Sequence, residues 1–539
     1  MLIAFGFISC KSNFTDPDDP KFGSNSDKGL TIKFDQPHQK IHHFGSSDGW
    51  STEIIGENWP IADRNNISQL LFSQDVDQNG NPKGIGLSMW RTNLGAGSAN
   101  MTNSGFSSDA WFRETECALQ PDGNYDWSQQ EGSRWFLRKA KELGVDYITA
   151  WITSPPYFMT KNGYTFITPG TNGYNLKESE YENFAAYISE YVRYHYKENI
   201  PIDFVSPINE PQYEWSAEVG SSKQEGTRCS NTEAFNLVSV IDKKFVEDAV
   251  SARLILSESG DISSLHSFRG NFPNASEQVN SFWNPGSANY LGDFNSVESA
   301  IAGHSYWSNN TVSIGIQNRE DLFTVNNQLG IDFWQTEYSI LGEAYLEGRA
   351  QSELQEIDYA LWIARIMHWD LTIANATGWS FWTSLSYPKY GDHKHRFGLM
   401  NWYPDIESRF CSSGEIEVTK NLWAFGNFSR FIRPKYRRIE VDNTLFGSTE
   451  QESENVMVSA YLSPDDTEIV ILLINYSGVN VDVPLLNYNL QGGFTVQDNM
   501  FDGYLTDQAN DLKHLRISAD DITIPDKSLL TLVGKYVSK

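Results

Sequence analysis

Two glutamates, Glu210 and Glu337, each stand at the end of a short apolar segment. Glu210 closes one run and Glu337 another, namely Phe204-Val205-Ser206-Pro207-Ile208-Asn209-Glu210-Pro211 and Ile331-Asp332-Phe333-Trp334-Gln335-Thr336-Glu337. Because proline cannot continue a central strand ladder, Pro207 and Pro211 place Glu210 where a buried strand opens into a loop. A loop acid that only makes an ion pair is the plainer interpretation of such a residue.

Two carboxyl groups that face each other over a cleft suit the cleavage of a glycosidic bond. One group protonates the leaving oxygen, and the other attacks the anomeric carbon or activates water. A separation of about 5 Å gives retention through a covalent intermediate, whereas roughly 6.5–9.5 Å gives inversion. The stereochemical outcome therefore depends on one distance in the folded chain.

Polar and aromatic residues near the ends of the same apolar segments are candidate ligands for a sugar. Asn209 is placed to hydrogen-bond a hydroxyl next to the reacting carbon, and Tyr306 and Arg91 are placed to keep Glu337 ionised. A core phenol and a buried ion pair are the alternatives for these two. Trp382 is a candidate floor for the sugar, although a tryptophan often only fills a core. The remaining candidates for substrate binding are Asp48, Trp151, Trp215 and His304.

Eight apolar segments alternate with helical patterns up to about residue 425. The segments cover 41–50, 85–93, 146–156, 201–211, 253–258, 301–307, 331–337 and 376–382. Helical patterns with one apolar face lie at 181–192 and 354–374, and Ser179 and Glu182 have the spacing of a capping box. The alternation predicts an α/β fold, a (β/α)8 barrel with its active site at the carboxyl ends of the strands. Glu210 and Glu337 then lie on strands four and seven, nearly across the barrel mouth from each other.

The pattern changes after about residue 425, where short apolar segments are separated by turns without helices. These segments are 456–462, 468–475, 479–483, 494–496, 515–517 and 529–533. They predict a β-sandwich, which the early segment 30–35 completes. The predicted organisation is a signal and flexible tether in 1–28, one or more strands that join the sandwich in 29–41, the barrel in 42–425 and the sandwich itself in 426–539.

The first residues predict export. The run from Met1 to Cys10 is apolar and ends in a small residue and a cysteine, which resembles a bacterial lipoprotein signal and makes Cys10 a candidate lipid anchor. A plain secretory signal with an incidental cysteine is the alternative. We expect a monomer that is secreted or held as a cell-surface or outer-membrane lipoprotein of a bacterium. One disulfide among Cys117, Cys229 and Cys411 is compatible with the cysteine count.

The composition excludes several classes of partner. A formal net charge of −28 opposes binding to nucleic acid or to an anionic membrane surface. No cluster of His, Cys and Asp has the spacing of metal ligands, and His304 is expected to orient its neighbours rather than to bind a metal. A chain with 14% aromatic residues suits stacking against the apolar faces of sugar rings.

A set of motifs then appears in order along the chain. The motifs are Phe44-Gly45-Ser46-Ser47-Asp48, Arg91-Thr92-Asn93-Leu94-Gly95-Ala96-Gly97, Ser154-Pro155-Pro156-Tyr157-Phe158-Met159, Ser206-Pro207-Ile208-Asn209-Glu210-Pro211-Gln212, Gly303-His304-Ser305-Tyr306, Trp334-Gln335-Thr336-Glu337-Tyr338-Ser339 and Phe428-Ser429-Arg430-Phe431-Ile432-Arg433-Pro434. From about residue 29 to 539 the chain resembles glycoside hydrolase family 30, in clan A of the retaining β-glycosidases. The resemblance implies Glu210 as acid/base, Glu337 as nucleophile, a polysaccharide or oligosaccharide substrate, and no metal or cofactor.

The substrate class rests on a smaller part of the resemblance. Pro211-Gln212-Tyr213-Glu214-Trp215 and Gln224-Glu225-Gly226 are similar to the β-1,6-galactanase branch of the family. The loops 96–125 and 212–230 are expected to shape the distal subsites. A β-1,6-glucanase or a glucuronoxylanase is the alternative, the latter through the basic run that contains Lys389, His393, Lys394, His395 and Arg396. A surface lipoprotein that binds glycans without cleaving them is the alternative from another class.

Overall fold

The computed structural model describes residues 28–389 and 393–538. The predicted signal, most of the predicted tether and Cys10 lie outside these residues. Among the described residues, no helix has the length and hydropathy that a membrane span requires.

Strand β1 (Leu30–Lys40) comes first and is followed by a closed barrel of eight parallel strands. The barrel strands are β2 (His43–Ser47), β3 (Met89–Asn93), β4 (Tyr147–Trp151), β5 (Phe204–Ser206), β6 (Arg253–Ser259), β7 (Val297–His304), β8 (Asp332–Tyr338) and β9 (Gly378–Phe381). Strand β9 pairs with both β8 and β2, which closes the sheet. Nearly all their residues are buried, as parallel strands covered on both faces require. The predicted barrel is confirmed.

Helices lie between the barrel strands and cover the outside of the barrel. They are α1 (Ser51–Asn58), α2 (Ile61–Phe72), α3 (Glu131–Glu142), α4 (Tyr181–Lys197), α5 (Asn231–Glu247), α6 (Ser263–His266), α7 (Gln278–Trp283), α8 (Val312–Leu329) and α9 (Glu356–Thr372). The predicted apolar face of α4 is buried at Phe184, Ala185 and Ile188, one helical turn apart.

The predicted capping box at Ser179 and Glu182 is wrong. Residues Glu178–Glu180 form a turn of 3-10 helix, so α4 begins only at Tyr181, and its N-cap makes no side-chain hydrogen bond. The capping box lies instead at the start of α5, where Ser230 and Glu233 exchange side-chain and backbone hydrogen bonds.

Two structures lie between the barrel and the C-terminal sheet. A small sheet of β10 (Leu385–Ser386), β11 (Met400–Pro404) and β12 (Gly414–Val418) follows the last barrel strand, and its hairpin was not predicted from the sequence. Helix α10 (Lys420–Ser429) then leads out of the barrel.

The remaining strands form an antiparallel sheet beside the barrel. They are β13 (Arg437–Asn443), β14 (Val456–Leu462), β15 (Glu468–Asn475), β16 (Val481–Asp482), β17 (Phe494–Val496), β18 (Met500–Thr506), β19 (Lys513–Ser518), β20 (Thr523–Ile524) and β21 (Ser528–Ser538), with helix α11 (Thr449–Glu454) before β14. The order is β1-β13-β14-β15-β21-β18-β19, with β17 on β21, while β16 and β20 pair separately. As predicted, the early strand joins this region, with Leu30 opposite Asn443.

Both faces of this sheet are buried. In β15, Val470, Leu472 and Ile474 pack into the core of the barrel side. Their neighbours Ile469 and Ile471 point to the other face and join a second core with β1 and the segments around β16 and β20. The alternate side chains of one strand therefore tie the sheet to the barrel and to its own outer layer.

Cys117, Cys229 and Cys411 are buried free thiols, so none of these three cysteines forms a disulfide. Burial raises the pKa of the Cys117 thiol to about 12 and that of Cys229 well above its ordinary value. Both thiols are therefore neutral and act as small core side chains.

Candidate active site

The carboxyl ends of β5 and β8 bring Glu210 and Glu337 together at the barrel mouth. One carboxylate oxygen of Glu210 and one of Glu337 lie within 4.8 Å of each other. Both side chains are largely buried but line a cavity of about 330 Å³. A separation of this size fits retention better than inversion, for which roughly 6.5–9.5 Å leaves room for a water between the two groups.

Arg91 on β3 links three acidic or amide groups beneath this cavity. Its guanidinium donates to Glu337 Oε2 at 2.9 Å, to Asn209 Oδ1 at 3.0 Å and to Glu258 Oε2 at 3.3 Å. The guanidinium also lies over the Trp151 ring, 4.3 Å from its centroid. Arg91 thus positions the Glu337 carboxylate and orients the Asn209 amide.

His304 at the end of β7 lies between two carboxylates. Its Nδ1 is 3.0 Å from Glu210 Oε1, and its Nε2 is 2.9 Å from Glu258 Oε2. Burial disfavours a charged imidazole, but the surrounding carboxylates outweigh burial and raise the pKa of His304 to about 9. The ring is therefore a cation near neutral pH and donates from both nitrogens.

Glu258 is a site residue that the sequence reasoning missed. Burial favours its neutral form, but Arg91 and His304 outweigh burial and lower the pKa of Glu258 to about 2. Its Oε2 also accepts a hydrogen bond from Thr336 Oγ1 at 2.6 Å. Its position could have identified it as a site residue, because Glu258 ends the fifth predicted strand. Glu210 has the corresponding position at the end of the fourth.

Burial and nearby positive charges act in opposite directions on the pKa of Glu337. The Tyr306 hydroxyl donates to its Oε1 at 3.3 Å, while Arg91 holds its other oxygen. Burial raises the pKa of Glu337 against the positive charges of His304 and Arg91. The carboxylate is thus positioned by two donors and is a stronger base than an exposed glutamate.

Five of the predicted ligands do not line the cavity, namely Asn209, Arg91, His304, Asp48 and Trp151. Asp48 is buried and accepts hydrogen bonds from Thr92 Oγ1 at 2.7 Å and from the Asn93 backbone at 3.1 Å. Burial raises the pKa of Asp48 to about 7. Trp151 is also buried, under Arg91. Asp48 and Trp151 support the site through their contacts with Thr92, Asn93 and Arg91.

Aromatic side chains form much of the cavity wall. Tyr306, Trp215 and Trp382 line it as the sequence indicated. Arg396, from the basic run considered for the glucuronoxylanase alternative, also lines the cavity, and further lining residues that were not predicted are Trp50, Phe112, Arg113, Gln224 and Tyr387. Two of these come from the loop 96–125 and one from the loop 212–230, so both loops reach the cavity.

The whole constellation can be compared with known proteins. A model of O-glycosyl hydrolase family 30 matches residues 27–394, more than half of the chain. The chain belongs to glycoside hydrolase family 30. It is therefore a glycoside hydrolase that acts on a carbohydrate.

Solved structures of similar fold include members of family 30. A conserved exported protein from Bacteroides fragilis matches with a TM-score of 0.85 and 29% identity, over 94% of this chain and 100% of that one. The catalytic domain of the family 30 xylanase C from Talaromyces cellulolyticus has a TM-score of 0.62 and 22% identity, over 94% and 99%. An endo-β-1,6-glucanase has a TM-score of 0.62 and 15% identity, over 96% and 95%. The last two likenesses show the shared fold.

The family 30 site also contains a group of possible metal ligands. Among the described residues, Glu210, His304 and Glu337 place one ligand atom each within 4.8 Å of one another. Both nitrogens of His304 already face carboxylates, however, and a protonated imidazole has no lone pair for a metal. The arrangement suits the transfer of protons rather than the binding of a cation.

Proposed function

We propose that this chain is a retaining β-glycosidase that works by double displacement, with Glu337 as nucleophile and Glu210 as acid/base. Glu337 attacks the anomeric carbon while Glu210 gives its proton to the leaving oxygen, which forms a glycosyl ester on Glu337 and frees the first product. Glu210 then takes a proton from water, and the water oxygen replaces Glu337 at the anomeric carbon. The separation of the two carboxylates, within 4.8 Å, is the observation that carries this proposal.

The surrounding charges support this division of roles. Arg91 and Tyr306 both donate to Glu337, which favours its anionic form before attack. His304 donates to Glu210, which stabilises the carboxylate that Glu210 becomes once it has given up its proton. The same carboxylate is the base that the second step requires.

Replacement of either glutamate by glutamine tests these roles. Glu210→Gln and Glu337→Gln keep the side-chain shape but remove the acid/base and the nucleophile, so turnover should fall on the order of 10²–10⁴-fold or more. The measurement is the rate of release of reducing ends, with thermal unfolding as a check of folding. A variant that keeps turnover near that of the wild type would contradict its assigned role and would favour a glycan-binding protein without catalysis.

We propose β-1,6-galactan, as in arabinogalactan side chains, as the substrate. The segment Pro211–Trp215, similar to that of the galactanase branch, borders the cavity through Trp215. A neutral polymer also fits the two lysines of the basic run that follows β9, because Lys389 pairs with Glu407 and Lys394 pairs with Glu417 at 2.6 Å. Arg396 of the same run lines the cavity and donates to the backbone oxygens of Ile340 and Gly342, so Arg396 is the residue on which the glucuronoxylanase alternative depends.

A panel of polysaccharides tests the substrate. Debranched arabinogalactan, β-1,6-glucan and glucuronoxylan are incubated with wild type and with Glu337→Gln, and products are separated by length. Release of galactose or β-1,6-galactobiose by wild type alone supports the proposal, and product length separates exo from endo cleavage. Cleavage of glucan or glucuronoxylan instead of galactan would assign the chain to that substrate.

We propose export and lipidation at Cys10, from the N-terminal pattern and from the likeness to an exported protein. Expression with radiolabelled palmitate should label wild type and leave Cys10→Ala unlabelled. Equal labelling of the two, or no label on either, would contradict the anchor.

A further inference from the structure

A run of aromatic side chains leads from the cavity outward past Glu210. Trp215 lines the cavity and donates from its indole nitrogen to the Glu210 backbone oxygen at 3.1 Å. Tyr213 meets the Trp215 ring edge-on at 6.1 Å and the Phe272 ring edge-on at 5.7 Å. The Tyr213 phenol also lies near the Trp307 side chain, and Trp307 directly follows Tyr306, which lines the cavity. We call Trp215, Tyr213, Phe272 and Trp307 the aromatic ridge.

The aromatic ridge is open to solvent at its outer end. Trp215, Tyr213 and Phe272 are half-buried, and Trp307 is 52% exposed. No other tryptophan in the part of the chain that the structure describes is as exposed. An indole of this exposure beside an active site offers a flat apolar face of the kind that sugar rings cover.

The backbone holds the two tryptophans of the ridge in an uncommon conformation. Trp307 has φ 58° and Trp215 has φ 50°, in the left-handed region that bulky residues rarely adopt. Such a conformation is unfavourable for a bulky residue and persists only where the surroundings enforce it. Gly342 contributes to this, because a Cβ there would lie 3.3 Å from the Trp307 ring.

The ridge lies against the proposed acid/base itself. A Cβ on Gly260 would lie 2.4 Å from the Tyr213 ring and 2.9 Å from Glu210 Oε1. Because Gly260 has no side chain, the Tyr213 ring and the Glu210 carboxyl group can both approach its Cα. Whatever lies on the ridge is next to the group that protonates the leaving oxygen.

We propose that the aromatic ridge binds the sugars on the leaving-group side of the scissile bond. This inference rests on the role of Glu210 proposed above. Because Glu210 protonates the leaving oxygen, the departing sugar must start at Glu210, and Trp215 and Tyr213 of the ridge adjoin that residue. Trp215 and Tyr213 face the first departing sugar, and Trp307 stacks on a sugar further along. The enzyme therefore prefers chains that extend beyond the cleaved bond.

The test compares a substrate that reaches the ridge with one that does not. β-1,6-Galactotetraose has sugars on the leaving-group side of the cleaved bond. β-Galactosyl fluoride has only a fluorine atom there, which departs as fluoride ion. The ratio of kcat/KM on the tetraose to kcat/KM on the fluoride should fall about tenfold in Trp307→Ala, as for loss of a well-packed aromatic contact. Trp307→Phe should restore much of the ratio.

Tyr196→Ala is the matched control, because Tyr196 is 68% exposed near the end of α4, at the opposite end of the barrel from the cavity. Its ratio should equal that of wild type. A ratio unchanged in Trp307→Ala would overturn the ridge, and so would a loss of equal size on both substrates. Binding of the tetraose to Glu337→Gln, with and without Trp307→Ala, gives the same comparison by calorimetry without turnover.

Failure of the ridge and failure of the proposed function give different results. If wild type cleaves neither galactose substrate, galactan is the wrong substrate, and the ratio is measured with the tetrasaccharide and glycosyl fluoride of the polysaccharide cleaved in the panel. If wild type cleaves both and the variants do not differ, only the ridge is wrong.

Discussion

At the scale of single residues, the site is a balance of buried charges. The carboxyl groups of Glu210, Glu258 and Glu337 surround two cations, Arg91 and His304. With three ionised carboxylates the group has a net negative charge in a buried site, which is costly. One proton on one carboxyl group makes the network neutral, and the proposed mechanism requires that proton on Glu210 before the first step.

The protonated state of His304 gives a pH prediction. Its pKa of about 9 in the folded chain lies above the ordinary 6.5, so the charged ring stabilises the fold fully below pH 6.5 and this contribution is lost as pH rises through 9. Activity should fall over the same alkaline range, because the neutral ring no longer compensates the carboxylates. The measurements are kcat/KM and Tm against pH.

Glu258→Gln separates this cause from general alkaline unfolding. Removing one of the carboxylates that favour the imidazolium should move the alkaline limb of kcat/KM to lower pH. Glu415→Gln, a change on exposed strand β12, should leave the limb in place. An alkaline limb that does not move in Glu258→Gln would show that His304 does not control it.

The sequence indicated those site residues that lie at or near the ends of predicted strands. Glu210, Glu337, Arg91, His304 and Tyr306 were found because each ends or follows a predicted strand, and the structure brings them together. Their catalytic roles remain predictions. Asp48 and Trp151 also end strands, but whether a side chain faces the cavity or the layer beneath depends on packing that the pattern does not encode.

At the scale of elements, the loops after three strands are held by one buried acid. Glu225 accepts hydrogen bonds from the hydroxyls of Ser98 and Thr115 at 2.7 Å and of Thr153 at 3.1 Å. The backbone nitrogens of Ser98 and Ala96 also donate to it. Glu225 thus joins the loops after β3 and β4 to the loop after β5, next to Gln224 in the cavity wall.

Removal of this acceptor should loosen the cavity wall. Glu225→Ala leaves several buried donors without a partner, so the free energy of unfolding should fall by about 3 kcal/mol and kcat/KM should fall with it. Chemical denaturation and kinetics measure the two effects, and Glu225→Gln should lie between wild type and Glu225→Ala.

An exposed ion pair between the same loops provides the control. Lys223 and Asp109 are 2.7 Å apart and both side chains are exposed, so Lys223→Ala should cost less than about 1 kcal/mol. If Glu225→Ala is no more destabilising than Lys223→Ala, the loops are not held by Glu225.

Strands with two buried faces were predicted more readily than the other elements. The barrel strands and β14, β15 and β21 form continuous apolar runs for this reason. Strand β13 has the sequence Arg437-Arg438-Ile439-Glu440-Val441-Asp442-Asn443, in which several residues are charged and most positions are half-buried, and was missed. The hairpin of β11 and β12 was missed because its second strand has no buried residue.

At the scale of the whole molecule, the barrel and the side sheet share a core. Helix α9 is packed between them, and Trp369 donates to Ser453 Oγ of α11 at 2.8 Å. Asp358 of α9 pairs with Lys527 at 2.9 Å beside β21. The predicted boundary at 29 comes just before β1 and that at 42 just before β2, whereas the boundary at 426 falls inside helix α10. The independence of these parts stays a prediction.

The shared core predicts one cooperative unfolding transition. Leu472 on β15 is buried against the barrel side, so Leu472→Ala should cost about 2–5 kcal/mol and lower a single Tm for barrel and sheet together. Differential scanning calorimetry measures this, with Val537→Ala, an exposed position on β21, as control. Two separate transitions, of which only one shifts, would contradict a shared core.

The most direct test of the central claim is the anomeric form of the first product. Proton NMR follows the sugar released from the polysaccharide that wild type cleaves in the panel, before the anomers interconvert. The carboxylate separation within 4.8 Å predicts that the β-anomer appears first and the α-anomer only later by mutarotation. An α-anomer as the first product would show inversion and would contradict the role of Glu337 as nucleophile.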